Sequence, residues 1–119
     1  MAHLAHERLS AYGSAIDLAV FLHHLTPELG SAGDLPGQLE RAAVSIPLYV
    51  AAGASEPTSV EKRVFYRMAR HSGLECLAIL DVLEALGAVQ ASRLERGRLL
   101  LDEIVAMLGS MIVTKHRER

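Results

Sequence analysis

The chain has 119 residues, a formal net charge of −2 and one cysteine, and 50% of its residues are hydrophobic. A chain of this length forms one domain, and its slightly negative charge argues against a surface coated with positive charge for nucleic acid. The lone Cys76 excludes an intrachain disulfide and a cysteine-based zinc site. Because aromatic residues make up only 4% of the chain while Leu and Ala are abundant, helices are favoured over strands.

The first predicted helix runs from about residue 4 to residue 25. Spacings of three and four residues place one set of side chains on a single face: Leu9, Tyr12, Ile16, Ala19, Val20 and His23. Thr26-Pro27 ends this helix, because the residue before a proline is forced out of the helical conformation. A flexible turn that contains Gly30 and Gly33 leads to the next helix.

The second predicted helix spans about residues 34–52, with Asp34 as its N-cap and Pro36 in its first turn. Its apolar face consists of Leu39, Ala42, Ala43, Ile46 and Val50. Pro47 lies inside the helix, where it removes a hydrogen bond and introduces a kink. Gly53 is expected to stop the helix.

Two capping boxes predict the starts of the third and fourth helices, Thr58-Ser59-Val60-Glu61 and Ser92-Arg93-Leu94-Glu95. These helices are expected over about residues 59–86, followed by Gly87, and over about residues 93–114. The short connections force neighbouring helices to run antiparallel. The sequence therefore predicts an all-α protein, a single domain over residues 1–119 that folds as an up-and-down antiparallel four-helix bundle.

The third and fourth helices carry apolar residues on more than one side. On the third helix, the stripe expected to face the core comprises Phe65, Ala69, Ser72, Cys76, Ile79, Leu83 and Leu86, and the opposite stripe mixes leucines with charges. Either two neighbours within one bundle share such a wide apolar surface, or the helices pack against other subunits. We favour the second interpretation, and the expected oligomer interface then comprises Tyr49, Leu74, Leu77, Leu100, Ile104, Met107 and Met111.

Two segments carry a family resemblance, QLERAAVSIPLYVAAG at residues 38–53 and FYRMARHSGLECLAIL at residues 65–80. They resemble the four-helix-bundle proteins encoded by intervening sequences of bacterial 23S ribosomal RNA genes. The matching positions are Gln38, Arg41, Ala42, Ser45, Ile46, Pro47, Ala51, Gly53, Ala69, Gly73 and Glu75. Two positions depart from the family pattern, since Tyr49 and Ala52 stand where it usually has Asn and Glu.

The resemblance implies a closed bundle that assembles into a ring-like pentamer. A relative of similar fold, the accessory protein of diversity-generating retroelements, binds nucleic acid together with a reverse transcriptase. That relative is strongly basic and this chain is not, which weakens nucleic-acid binding as an implication.

A basic ridge about 10 Å long is predicted on the third helix from Arg63, Arg67 and Arg70, with Lys62 beside it and Arg41 brought near by the second helix. Guanidinium groups chelate phosphate well, so the ridge is a candidate site for RNA or DNA. The alternative is a solvated face whose arginines pair with Glu61 or with carboxylates of a neighbouring subunit.

The remaining polar residues predict no catalytic, metal or cofactor site. Metal sites in bundles need inward Glu-x-x-His motifs, and the histidine pairs at residues 3 and 6 and at residues 23 and 24 are not part of one. Ser45 is expected to bond a main-chain carbonyl near Pro47, and Ser72 has no evident base. Cys76 is expected to be a buried small hydrophobe.

These observations favour a non-enzymatic homo-oligomer that serves as a scaffold for a protein or nucleic-acid partner. The N-terminus lacks a signal-peptide pattern and charges interrupt the longest apolar stretch, so a cytoplasmic protein without a membrane span is expected. Two alternatives stay open. One is a nucleic-acid-binding accessory protein that uses the basic ridge, and the other is a bundle that binds a small molecule or a metal.

Overall fold

The computed structural model describes the backbone of residues 2–117 and the side chains of residues 6–113. Over these residues the chain forms four α-helices and no strand: α1 (Ala2–Leu25), α2 (Leu35–Ser55), α3 (Ser59–Ala85) and α4 (Ala91–Arg117). A short 3-10 helix, Thr26–Leu29, follows α1 directly. The predicted all-α fold is confirmed.

The helices form a closed ring of neighbours. Each packs against the next along the chain, and α4 returns to pack against α1, whereas among the described residues the backbones of the diagonal pairs do not come close. The molecule is elongated, 49 × 22 × 19 Å, as expected for helices of 21 to 27 residues lying side by side. Because short connections reverse the chain direction each time, this is the predicted up-and-down antiparallel bundle.

Several of the predicted helix-end signals are observed. Asp34 is at the N-cap position of α2, although its side chain makes no capping hydrogen bond, and Pro36 lies in the first turn. Thr58 is the N-cap of α3, and its hydroxyl oxygen accepts a hydrogen bond from the Glu61 main-chain N–H at 3.1 Å. Gly87 follows α3 with a φ of 71°, a left-handed conformation that glycine adopts without strain. The N–H groups of Gly87 and Ala88 bond the carbonyls of Glu84 and Leu83, so α3 ends in a Schellman motif.

The predicted end of the first helix is confirmed, since α1 ends at Leu25, although the chain continues as a 3-10 helix because Pro27 occupies its first turn, where no N–H is needed. Two other predicted helix ends are wrong. α2 contains Pro47, as predicted, but it runs past Gly53 to Ser55. The second capping box does not form, because α4 begins at Ala91, where the Arg93 N–H already bonds the carbonyl of Gln90.

The face predicted for α1 lies on the outside of the bundle. The buried side of the helix is formed instead by Ala11, Ala15, Leu18, Leu22 and Leu25. Leu9, Tyr12, Ile16 and Val20 are each at least 39% exposed. Since α1 is apolar on both sides, its periodicity alone does not decide which side faces the core.

The core of the bundle also corrects the expected oligomer interface. Leu100, Ile104 and Met111 are buried within the single chain, so the prediction that they contact another subunit is wrong. Leu77 and Met107 are partly buried and pack against the same core. The physical reason is that α4 lies between α1 and α3 and buries one apolar stripe against each of them.

Close packing of α2 against α3 depends on Gly53. A Cβ atom at Gly53 would lie 2.6 Å from Cε1 of Tyr66 and 3.1 Å from Cβ of Phe65. The ring of Tyr66 is buried, and this burial raises the pKa of its hydroxyl, an effect that the nearby Arg8 opposes. Gly53 therefore allows the Tyr66 ring to pack directly on the backbone of α2, and it does not end the helix.

We predict that Gly53→Ala lowers the free energy of unfolding by about 1–3 kcal/mol, because the new methyl group would force the buried Tyr66 ring to shift. Urea denaturation measures the change. Gly13→Ala is the matched control, since nothing lies within 4 Å of the new Cβ and alanine is the better helix former. The control is expected to raise stability by about 0.5–1 kcal/mol. Equal effects of the two substitutions would contradict this account of Gly53.

Candidate functional site

A groove between α3 and α4 contains the central part of the predicted basic ridge. We call it the α3–α4 groove; it has a volume of about 450 Å³ and is lined by Arg67, Arg70, His71, Leu74, Gly109, Ile112 and Val113. Cationic side chains and an imidazole come from α3, and apolar side chains line the rest. The groove therefore combines positive charge with an apolar surface.

The local sequence explains how the groove arises. Gly109 has no side chain, so α4 presents bare backbone there, and a Cβ at this position would be 3.8 Å from Nε of Arg70. Arg67 and Arg70 are both exposed, and in the described part of the chain neither has a carboxylate within ion-pair distance. Two guanidinium groups beside the groove are thus available to an external anion.

The other residues predicted for the ridge do not line this groove. The Lys62 ammonium donates hydrogen bonds to the carbonyls of Gly53 and Ala54, at 3.4 and 3.0 Å, and so caps the C-terminal end of α2. Arg63 is half-buried, and its Nε is covered without a hydrogen-bond partner among the described residues. Arg41 lies on the exposed side of α2, in a separate depression with Val44 and Leu48.

The basic character of α3 ends soon after Leu74. Asp81 and Glu84 follow on the same side of the helix, and Arg98 of α4 donates hydrogen bonds to them at 2.8 and 2.9 Å. These bonds raise the pKa of Arg98, the bond to Asp81 having the largest effect. The positive region is therefore confined to the N-terminal half of α3.

A second surface is apolar and lies on the outer side of α1 and α2. We call it the α1–α2 face; its side chains, each 39–67% exposed, are Leu9, Tyr12, Ile16, Val44 and Leu48. The contact between His23 and Glu40 fixes the register of the two antiparallel helices. Ile16 lies seven residues before His23 and Pro47 seven residues after Glu40, so Ile16 is level with Pro47 and the two groups of side chains lie at similar heights along the bundle.

The adjoining side of the bundle carries a smaller apolar surface. We call it the α2–α3 face; it comprises the exposed Val60, Val64 and Met68 with the half-buried Tyr49 and Ala52. The hydroxyl oxygens of Ser45 and Ser72 lie 2.7 Å apart, which places Tyr49 level with Met68 one turn further on. Both positions that depart from the family pattern therefore lie on this face.

Ser45 and Ser72 have hydrogen-bond partners that indicate a structural role. The Ser45 hydroxyl lies 2.7 Å from the carbonyl oxygen of Ala42, as predicted for a carbonyl near Pro47. With its single hydrogen directed there, Ser45 can accept the hydrogen of Ser72. The two hydroxyls thus satisfy each other between α2 and α3.

A polar cluster that the sequence did not predict joins α1 to α2. Glu40 accepts a hydrogen bond from the Thr26 hydroxyl at 2.7 Å and lies 3.0 Å from Nδ1 of His23. The hydrogen bond with His23, and then that with Thr26, lowers the pKa of Glu40. The adjacent histidines offered no signal for this role, because the partner lies on another helix.

The described residues include no group of three or more His, Cys, Asp or Glu side chains placed to hold a metal ion. The predicted pair of His3 and His6 falls partly outside them, since the side chain of His3 is not described. None of the helices there is long and apolar enough to cross a lipid bilayer.

The fold and its surfaces define an antiparallel four-helix-bundle protein with exposed apolar faces and one basic groove. A family model described as 23S rRNA-intervening sequence protein matches residues 7–110. This match spans most of the chain, which therefore belongs to that family, as the Ser-Ile-Pro motif suggested. A search of curated proteins found no match.

Cys76 is predicted to be unreactive in the folded protein. Burial, and then the charge of Glu75, raises the pKa of its thiol to about 12. At pH 8 roughly one thiol in ten thousand is then ionised, and the thiolate is the reactive form. An aromatic disulfide reagent should react only after urea unfolds the chain. The control is the double variant Cys76→Ala/Ala78→Cys, whose exposed thiol should react at once; equally fast labelling of both native proteins would contradict the assignment.

Proposed function

We propose that the protein is a non-enzymatic, homo-oligomeric helical scaffold that binds a partner in the cytoplasm. The α1–α2 face is the observation that carries this proposal. Five large apolar side chains, each more than one-third exposed, lie on the outer side of α1 and α2 in a bundle of only 119 residues. Exposed apolar surface of this kind is typical of protein–protein contacts.

A second copy of the chain fits this face better than an unrelated partner does, because the neighbouring α2–α3 face is also apolar. The two faces lie at the same level along the bundle, since Ile16 is level with Pro47 and Tyr49 is level with Met68. Adjacent sides of a four-helix bundle are about 90° apart. Head-to-tail rings of four and five subunits need joining faces about 90° and about 108° apart.

This arrangement supports a closed ring, and the family resemblance favours five subunits. It also moves the proposed interface away from α4. Of the residues predicted for the interface, Tyr49 lies on the α2–α3 face and Leu74 is 41% exposed in the α3–α4 groove. Replacement of the family's usual Asn and Glu by Tyr49 and Ala52 makes the α2–α3 face more apolar.

Nucleic-acid binding is the weaker alternative for the partner. It needs a continuous track of cations along a phosphate backbone, and only Arg67 and Arg70 of the five predicted residues share one groove. Ion-paired carboxylates follow on the same helix. The net charge of −2 further opposes a polyanion.

We predict that Leu48→Glu converts the oligomer into monomers. The substitution places a charge at the centre of the α1–α2 face, and removing such a central contact weakens association about 30-fold or more. Light scattering coupled to size-exclusion chromatography at micromolar concentration measures the mass of the particle.

Leu99→Glu is the matched control, because Leu99 is 60% exposed, close to the 63% of Leu48, but lies on α4 away from both apolar faces. This variant should keep the mass of the unmodified protein. Circular dichroism of both variants checks that the bundle stays folded. A monomeric unmodified protein, or equal loss of assembly in both variants, would refute the proposed scaffold.

A further inference from the structure

The α3–α4 groove has the chemistry of a binding site for a small amphiphilic molecule. On its α3 side are the guanidinium groups of Arg67 and Arg70, and its opposite wall is apolar, with Ile112 and Val113. Guanidinium groups bind carboxylates through paired, charge-assisted hydrogen bonds. A ligand that fits must therefore carry an anionic group and an apolar part.

The length of the groove limits the size of this ligand. From Arg67 to Leu74 the helix rises about 10 Å, at 1.5 Å per residue. Carbon–carbon bonds of about 1.5 Å make an extended chain of eight carbons roughly as long. The volume of about 450 Å³ lies within the range of pockets that bind small molecules. A docked helix would need more turns than this to anchor its apolar face.

The charges around the groove also favour a single anionic group over a polyanion. The arginines have no carboxylate partner in the described part of the chain, so one carboxylate would meet two free cations. Further along α3, Asp81 and Glu84 share the single cation Arg98, so this part of the helix offers no free positive charge to a phosphate backbone.

Gly109 leaves space for a ligand in the groove. Glycine in the interior of a helix costs roughly 1 kcal/mol relative to alanine. Because Gly109 has no side chain, α4 does not project into the groove opposite Arg70. A Cβ at this position would lie 3.8 Å from Nε of Arg70. A large side chain at this position would fill the groove and leave both arginines in place.

We infer that the α3–α4 groove binds a free carboxylate carried on an apolar chain of roughly eight carbons, with Arg67 and Arg70 holding the carboxylate and the apolar wall holding the chain. This site is separate from the apolar faces proposed for assembly. It belongs to the small-molecule class that the sequence left open.

The test uses the full-length protein and octanoate as the probe. Isothermal titration calorimetry measures affinity, and the Gly109 amide resonance in a ¹⁵N–¹H correlation spectrum reports the place of binding. Octanoate should bind and shift this resonance, whereas octylamine, which has the same chain with the opposite charge, and acetate, which lacks the chain, should bind at least about tenfold more weakly.

Substitutions then distinguish the contribution of the arginine charge to octanoate binding from that of the open groove. Arg70→Gln should weaken octanoate about tenfold or more, and Arg96→Gln, on the side of α4 that faces α1, should not. Gly109→Leu should abolish binding while the fold is kept, because leucine is a better helix former than glycine.

Three results would overturn the inference: octylamine binding as tightly as octanoate, octanoate keeping its affinity for the Gly109→Leu protein, or a structured RNA displacing octanoate at physiological salt. Light scattering on the Gly109→Leu variant keeps this test independent of the scaffold proposal, because an unchanged oligomer without octanoate binding isolates the groove. Loss of assembly in that variant would assign the groove to the interface and refute the ligand site.

Discussion

The contact between Tyr66 and the bare backbone of Gly53 sets the distance between α2 and α3, and the other surfaces depend on that distance. A similar approach recurs at Gly73, where a Cβ would be 3.1 Å from Cγ2 of Val105 on α4. Because α3 is drawn close to both neighbours, its polar residues are forced to the outer edges of the bundle. Arg67 and Arg70 are thereby placed beside α4, and Met68 beside α2.

The limited capacity of the core determines both which apolar side chains are buried and which remain exposed. A four-helix bundle buries one stripe of each helix, and this chain carries more apolar stripes than its core can accept. The second apolar stripe of α4 is buried against its two neighbours, whereas the second apolar stripes of α1 and α2 remain exposed. An uncovered apolar face of that size is the physical basis for proposing assembly, and it also explains why half of so short a chain is hydrophobic.

The basic groove shows how a feature of one helix becomes a site only when a second helix is added. The i, i+4, i+7 spacing correctly places Arg63, Arg67 and Arg70 along one side of α3. Which of them is accessible is decided by α4, because Gly109 opens the wall opposite Arg70. Lys62, adjacent in sequence, is instead used by the C-terminal end of α2.

By itself the sequence determined the helical class, the number of helices, the cap at Thr58 and the left-handed Gly87, because these depend on interactions within a few residues. It also determined the family, through a motif whose serine, proline and glycine stand in fixed order. Only the tertiary structure decided that Leu9, Tyr12 and Ile16 face outward and that Leu100, Ile104 and Met111 face inward. A helix that is apolar on two sides satisfies the same periodicity in either orientation, so the choice depends on the neighbours that the rest of the chain supplies.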